Sequence, residues 1–149
     1  MSDNSLPEVT LTWTHGLQFV GHAHGSNHAV VLDGKVEHGG DGSGVRPMEA
    51  LLISLGSCTG MDTISVLQKK RQRVSNMQVL IRSECADEHP KRYTHIELEF
   101  VVEGWHLSES AVQRAVELSQ TKYCPVTATL NCPVDYTIRL VELSTTSNS

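Results

Sequence analysis

Aromatic side chains are scarce in this chain of 149 residues, which has two Phe, two Trp and three Tyr, or 5% of its length. The core is therefore expected to consist of aliphatic side chains. A basic excess is also missing, because the formal net charge is −5. Proteins that bind nucleic acids usually carry a basic patch, and the nearest approach to one, residues 69–73, is expected to be a solvated helix end. We therefore expect no nucleic-acid partner.

Long apolar runs and Cys-x-x-Cys motifs are absent as well. No apolar run reaches the ~20 residues that span a bilayer, and the first residues lack the basic and apolar regions of a signal peptide. We therefore expect no membrane partner and a cytoplasmic location, where structural disulfides are rare. No Cys-x-x-Cys pair occurs, so zinc-finger spacing is missing, and we expect neither a metal nor a cofactor. The four cysteines, Cys58, Cys85, Cys124 and Cys132, are then inert core residues or redox-active thiols.

Hydrophobic periodicity predicts the secondary structure. Alternating, β-branched segments predict strands at 9–14, 17–23, 28–34, 77–82, 94–102 and 133–141. Helices are expected from Pro47, a favoured first helical residue, to Gln68, and from an N-cap at Ser108 to about Lys122. The first helix is apolar on nearly every side as far as Leu55, which predicts a buried central helix. The order βββ-α-ββ-α-β predicts a single α+β domain over residues 1–149, with mostly antiparallel sheets and flexible ends at about 1–7 and 144–149.

Two cysteines have neighbours that are compatible with thiol chemistry. Cys58 lies among small residues in the first helix, and the nearby helix glycines cost about 1 kcal/mol each, which requires a reason. Cys58 is either a small buried hydrophobe or an approachable thiol. Cys124 precedes Pro125, which ends the second helix and leaves the thiol held but open on one side. A thiol peroxidase needs such a pair, since one thiolate becomes a sulfenic acid and the second thiol condenses with it.

Residues 47–52, residues 55–58 and the later Cys124-Pro125-Val126 resemble the two signature segments of the OsmC/Ohr family of osmotically induced and organic hydroperoxide resistance proteins. The order of elements agrees over roughly residues 9–142, and Leu-Gly-x-Cys-Thr-x-x-Asp is most like the YhfA-type branch. The resemblance implies an intertwined homodimer with two sites at its interface. It also implies reduction of organic hydroperoxides by a thiol or dithiol reductant, with Cys58 peroxidatic and Cys124 resolving.

The chain departs from the peroxidase members of this family at two positions. Those members have a glutamate directly after the first proline, whereas this chain has Met48 there and Glu49 one residue later. Glu49 lies about 180° around the helix from Cys58, which makes it a poor partner for that thiol. Its alternative role is to stabilise the helix, because a carboxylate in the first turn interacts favourably with the helix dipole. Peroxidase members also use an arginine from the N-terminal strands, and here Arg46, or else Lys35, is the nearest substitute. A cation is needed because burial raises the pKa of a thiol.

Three further residues have to be considered beside the candidate cysteine pair: one carboxylate and the two remaining cysteines. Asp62 lies one helical turn beyond Cys58 on the same face. Its carboxylate either raises the pKa of the thiol or orients an arginine across the dimer. Cys85 has no activating neighbour and is expected to be inert. Cys132 also precedes a proline and competes with Cys124 as the resolving thiol.

The histidines form the other cluster in the sequence. His22 and His24 project from one face of a strand, near His28, and could bind a metal if a third ligand joined them. The alternative is a set of polar residues at a strand end.

Two functions remain open. The first is a cysteine-based peroxidase that takes part in an antioxidant stress response. The alternative is a non-catalytic OsmC-like protein that acts as a thiol redox sensor or binds an apolar ligand. The retained cysteine pair favours the enzyme, and the missing glutamate and arginine favour the alternative.

Overall fold

The computed structural model describes residues 5–145. Of the expected flexible ends, residues 1–4 and 146–149 lie outside the described residues. The chain divides into two compact units, one ending at Leu51 and the other beginning at Leu52. The expectation of a single domain stays a prediction.

The first unit contains a three-stranded antiparallel sheet. Its elements are β1 (Val9–His15), β2 (Gln18–Ala23), β3 (His28–Leu32) and a 3₁₀ turn at Val36–His38. The strands lie in the order β1-β2-β3, with Trp13 opposite Phe19 and Phe19 opposite Leu32. The alternation of the sequence places Leu11, Trp13 and Phe19 on one face. That face is open, since Leu11 is 52% and Trp13 61% exposed.

A buried carboxylate organises the loop after β3. Asp33 accepts hydrogen bonds from the backbone N–H groups of Gly34, Asp41 and Ser43 and from the Ser43 hydroxyl. These bonds, led by the one from the Ser43 hydroxyl, lower the pKa of Asp33 to about 2. These bonds therefore order the glycine-rich loop of residues 39–44.

The second unit contains a mixed sheet with helices. Its elements are the continuation of α1 (Pro47–Lys69), β4 (Arg73–Cys85), β5 (Tyr93–Trp105), α2 (Glu109–Leu118), α3 (Pro125–Thr129) and β6 (Val134–Glu142). The sheet order is β4-β5-β6, with β4 and β5 antiparallel and β5 and β6 parallel. The predicted α+β class with antiparallel sheets is confirmed. Three details differ: β6 pairs in parallel, β4 and β5 have 13 residues each, and α3 was not predicted.

The central helix buries a single stripe within the chain. Its buried residues are Leu55, Thr59, Gly60, Thr63 and Leu67, at a helical spacing. Leu67 joins Val102, Val112 and Ala115 in the core of the second unit. On other faces of the helix Ile53 is 58% and Met61 70% exposed. Within the single chain the helix is therefore buried on one side, because the elements packed against it cover only part of its circumference. Burial of its other faces in a homodimer stays a prediction.

The helix α1 ends at Lys69, one residue beyond its predicted end at Gln68. It has 23 residues, and an 18-residue window reaches a mean hydropathy of 1.5, so length and composition alone would let it cross a membrane. The core helix of a soluble protein satisfies the same criterion. A single helix of this kind is weak evidence for a membrane span, and the absence of a membrane partner stays a prediction. The buried stripe of α1, from Leu55 to Leu67, packs into the core of the second unit, as expected of a core helix.

Candidate active site

Close packing of α1 on strand β4 positions Cys58. A Cβ atom at Gly56 would stand 2.7 Å from Cδ1 of Ile81, and one at Gly60 would stand 3.6 Å from Cε of Met77. Gly56 therefore lets the helix approach the strand closely, whereas a Cβ at Gly60 would make only an ordinary contact. This packing supplies a reason for the glycine at position 56, and the Cys58 side chain is half-buried.

A π-helical turn positions Cys124. After α2 the chain continues through a π turn at Ser119–Tyr123, in which the Cys124 N–H donates to the carbonyl of Ser119 at 2.9 Å. Pro125 then begins α3, and Cys124 is its N-cap, with Sγ accepting a hydrogen bond from the Thr127 N–H at 3.4 Å. The proline predicted to end the second helix thus also starts a third. Cys124 is 4% exposed.

The structure brings three of the five predicted catalytic residues together. The sulfur atoms of Cys58 and Cys124 and a carboxylate oxygen of Asp62 all lie within 4.8 Å of one another. Asp62 also accepts a hydrogen bond from the Ser119 hydroxyl at 3.0 Å. All four cysteines are free thiols, and neither Cys85, which is exposed, nor Cys132, which is half-buried, belongs to this group.

The electrostatics of the group raise the pKa of the Cys58 thiol. Burial is the largest cause, followed by the hydrogen bond with Cys124 and the negative charges of Cys124 and Asp62. The Val126 backbone N–H, which hydrogen-bonds to Cys58, acts in the opposite direction. Within this chain the Cys58 thiol therefore favours its neutral, weakly nucleophilic form.

The other two predicted catalytic residues pair with each other at the start of α1. The Arg46 guanidinium forms an ion pair with the Glu49 carboxylate, which also accepts the Arg46 backbone N–H at 3.1 Å. The backbone hydrogen bond is the largest cause that lowers the pKa of Glu49, followed by the side-chain bond. This pair belongs to the first unit, whereas Cys58, Asp62 and Cys124 belong to the second. The catalytic roles of Arg46 and Glu49 stay predictions.

The clustered histidines have partners within the first unit. Nε2 of His22 lies 3.0 Å from the Asn27 side-chain oxygen, and Nε2 of His24 lies 2.8 Å from the Thr10 hydroxyl. The two rings make an edge contact with centroids 4.5 Å apart. Over residues 5–145 these histidines do not form a group of three potential metal ligands.

Sequence reasoning missed two contributors to the site, Ser119 and Val126. In the sequence, Ser119 is an ordinary small residue near the end of the predicted second helix. Its contact with Asp62 depends on the π turn, which the sequence does not predict. Val126 acts through its backbone, which carries no sequence signal. Asp62 also lines an open cavity of about 510 Å³ together with Ser65, Lys69 and Tyr123, so the group has access to solvent.

The fold and the paired cysteines define the class of this protein, and the chain belongs to the OsmC-like protein family, whose model matches residues 40–139. The resemblance drawn from the two signature segments is thereby confirmed.

Individual relatives support the same assignment. The chain is 40% identical over 130 residues to protein YhfA of Escherichia coli K12, covering 87% of this chain and 93% of that protein. It is similar to the crystal structure of a hypothetical protein from Aquifex aeolicus VF5, with 30% identity, a TM-score of 0.74 and coverage of 93% of this chain and 99% of that one. An organic hydroperoxide resistance protein OsmC from Legionella pneumophila shares the fold, with 13% identity, a TM-score of 0.63 and coverage of 94% and 100%.

Proposed function

We propose that this protein is a thiol-dependent peroxidase that reduces organic hydroperoxides through Cys58 and Cys124. The observation that carries the proposal is the approach of two free thiols to within 4.8 Å, one half-buried and one almost fully buried. The more exposed thiol meets the substrate, and the second lies within reach to condense with it. The hydroperoxide resistance activity named for the Legionella protein is consistent with this chemistry.

The reaction has three balanced steps. The Cys58 thiolate attacks the O–O bond of the hydroperoxide and becomes a sulfenic acid, while the alkoxide leaves and takes a proton from solvent to give the alcohol. The Cys124 thiol then condenses with the sulfenic acid, forming the disulfide and releasing water. A dithiol reductant exchanges with the disulfide, is itself oxidised to a disulfide, and restores both thiols.

A homodimer is part of the proposal. The apolar face of β1–β3 and the exposed residues Ile53 and Met61 of α1 both lie open in the single chain. Contiguous apolar surface on a soluble protein usually marks an interaction site. A second copy of the chain covers these surfaces, and the protein acts as a dimer in the cytoplasm.

Arg46 is proposed as the cation that offsets the raised pKa of Cys58. The Arg46 guanidinium is paired with Glu49 in the single chain. This ion pair therefore competes with an interaction between the guanidinium and the Cys58 thiolate. Asp62 either orients an arginine across the dimer or, acting alone, opposes ionisation of the Cys58 thiol.

Peptide mapping after mild oxidation tests the cysteine roles. One equivalent of cumene hydroperoxide is expected to link Cys58 to Cys124. Steady turnover with dithiothreitol is expected in the wild type and in the matched control Cys85→Ser, whereas Cys58→Ser loses turnover and Cys124→Ser accumulates sulfenic acid. A bridge that contains Cys85 or Cys132 would contradict these roles.

The alternative function is a non-catalytic redox sensor, and the raised pKa of Cys58 is the observation that favours it. A sensor forms the same disulfide once but does not turn over. The decisive comparison is therefore the number of hydroperoxide molecules reduced per chain in the presence of excess dithiol. One equivalent indicates a sensor, and many equivalents indicate a peroxidase.

A further inference from the structure

The three clustered side chains are also of the types that bind metal ions. Two cysteine sulfurs and a carboxylate oxygen, from Cys58, Cys124 and Asp62, lie within 4.8 Å of one another. In the part of the chain that the structure describes, they form the one such group of three cysteine, histidine or acidic donors. Thiolates and carboxylates both bind Zn²⁺, and three protein ligands leave a fourth tetrahedral position open.

The spacing of the donors fits a tetrahedral ion after a small movement. Zinc–sulfur bonds of about 2.3 Å and zinc–oxygen bonds of about 2.1 Å place neighbouring ligand atoms roughly 3.6–3.8 Å apart in a tetrahedron. The donors lie within 4.8 Å of one another, so each pair has to close by about 1.2 Å or less. Rotation of the Cys58 and Asp62 side chains, which are only partly buried, can provide this movement.

Hydrogen bonds from outside the group hold each donor in place. The Val126 N–H hydrogen-bonds to Cys58, and the Thr127 N–H donates to the sulfur of Cys124 at 3.4 Å. The Ser119 hydroxyl donates to Asp62 at 3.0 Å. Such outer contacts orient metal ligands in protein sites, and here they come from the π turn and the start of α3.

We propose that Cys58, Asp62 and Cys124 bind a thiophilic divalent cation of the Zn²⁺ type, with water in the fourth position. Each thiol releases its proton to solvent as its sulfur–metal bond forms, and the carboxylate binds without a proton change. The cavity beside Asp62 gives the ion a path from solvent. The metal occupies both thiols that the proposed peroxidase uses, so the metal-bound protein does not reduce hydroperoxides.

Titration of the reduced, metal-free full chain tests the site. Zn²⁺ is added in competition with a chromophoric chelator, and Co²⁺ is added separately to record thiolate-to-cobalt absorption. The wild type is expected to bind one ion per chain, release two protons per ion at a pH where both free thiols are protonated, and show the thiolate band with cobalt. Cys58→Ser and Cys124→Ser are expected to lose the site, and Asp62→Asn to bind at least tenfold more weakly.

The matched control is Cys85→Ser, which removes an exposed cysteine outside the group. It is expected to bind zinc as the wild type does, and circular dichroism establishes that each variant is folded. Absence of a thiolate band, zinc binding that survives in either thiol variant, or unchanged affinity in Asp62→Asn overturns the three-ligand site. Because these measurements need no hydroperoxide, failure of the peroxidase proposal in metal-free protein is a separate result.

Discussion

At the scale of single residues, the ionisation of Cys58 is central to the proposed chemistry. Its half-buried thiol lies beside a second thiol and a carboxylate, and partial burial, followed by these neighbours, raises its pKa above the ordinary value. An unperturbed thiol near pKa 8.5 is only a few per cent ionised at pH 7. The thiolate fraction in the single chain is smaller still, so reactivity has to increase with pH.

The first prediction concerns this pH dependence. The rate of Cys58 alkylation by iodoacetamide should rise about tenfold per pH unit until the pH reaches the raised pKa of this thiol, because the thiolate is the nucleophile. Asp62→Asn removes a negative charge that raises the pKa, so it should shift the profile to lower pH and increase the rate several-fold at pH 7. Quantitative mass spectrometry of the Cys58 peptide measures the rate. The exposed Asp87→Asn is the control, and equal profiles for Asp62→Asn and wild type would contradict the assigned cause.

The second prediction concerns the cation. Arg46→Met should slow hydroperoxide reduction tenfold or more at pH 7, about 1.4 kcal/mol, and the defect should shrink as the pH rises toward the raised pKa of the Cys58 thiol, where the thiol ionises without help. Glu49→Gln frees the guanidinium and should have the opposite effect. Stopped-flow turnover across this pH range measures both variants.

The matched control for that experiment is Arg114→Met. Arg114 is also an exposed arginine that pairs with a glutamate three residues later, Glu117, at 3.4 Å. It should leave turnover unchanged. If Arg46→Met and Arg114→Met behave alike at pH 7, Arg46 has no part in the site.

At the scale of structural elements, contacts between neighbouring segments determine where the reactive groups lie. Gly56 of α1 allows the close approach of β4, the π turn positions Ser119, and Asp33 holds the loop that leads toward the helix. Such contacts can be tested by a conservative substitution at the contact residue, compared with the same substitution at a nearby residue that does not make the contact.

The third prediction compares two glycines of α1. Gly60→Ala should be neutral or stabilise the protein by up to about 1 kcal/mol, because alanine favours the helix and its Cβ meets Met77 at an ordinary 3.6 Å. Gly56→Ala should be less stable than Gly60→Ala by roughly 1–3 kcal/mol, since its Cβ would stand 2.7 Å from Ile81. Urea unfolding of both variants gives the difference. The reverse order would show that Ile81 moves aside without cost.

The fourth prediction concerns the loop carboxylate. The pKa of Asp33 is lowered to about 2, so its bonds stabilise the fold above the unfolded pKa near 3.9, and this contribution is lost as the pH falls toward 2. Asp33→Asn should lower the melting temperature at pH 6, and its curve should converge with the wild type near pH 2. Asp41→Asn is the control, because that carboxylate lies in the same loop and pairs with His15 at its surface. A constant difference between Asp33→Asn and wild type from pH 6 to 2 would contradict the role of the charge.

At the scale of the whole molecule, the two units leave apolar surface that one chain does not cover. The strands β1–β3 expose Leu11, Trp13 and Phe19, and α1 exposes Ile53 and Met61. Burial of apolar surface stabilises association by roughly 25 cal/mol for each Å² removed from water. The homodimer proposed above provides this burial.

The fifth prediction tests that assembly. Light scattering at micromolar concentration should give twice the mass of the chain. Ile53→Glu places a charge on the exposed face of α1 and should shift the protein to monomers, whereas Val36→Glu, at a residue 72% exposed in a 3₁₀ turn, should remain dimeric. A monomeric wild type would overturn the proposal, as would a dimer that tolerates Ile53→Glu and similar changes at Met61.

Local patterns in the sequence were sufficient for most elements and for the family. Alternation and β-branching predict the strands, Pro47 predicts the start of α1 to the residue, and the segments around Cys58 and Cys124 indicate the OsmC-like family. These features depend on near neighbours in the chain, where periodicity and capping are informative. Contacts between distant residues are different. The parallel pairing of β6, the one-sided burial of α1 and the approach of Ser119 to Asp62 arise from packing between separate elements, and the π turn that permits the last contact has no local sequence signal.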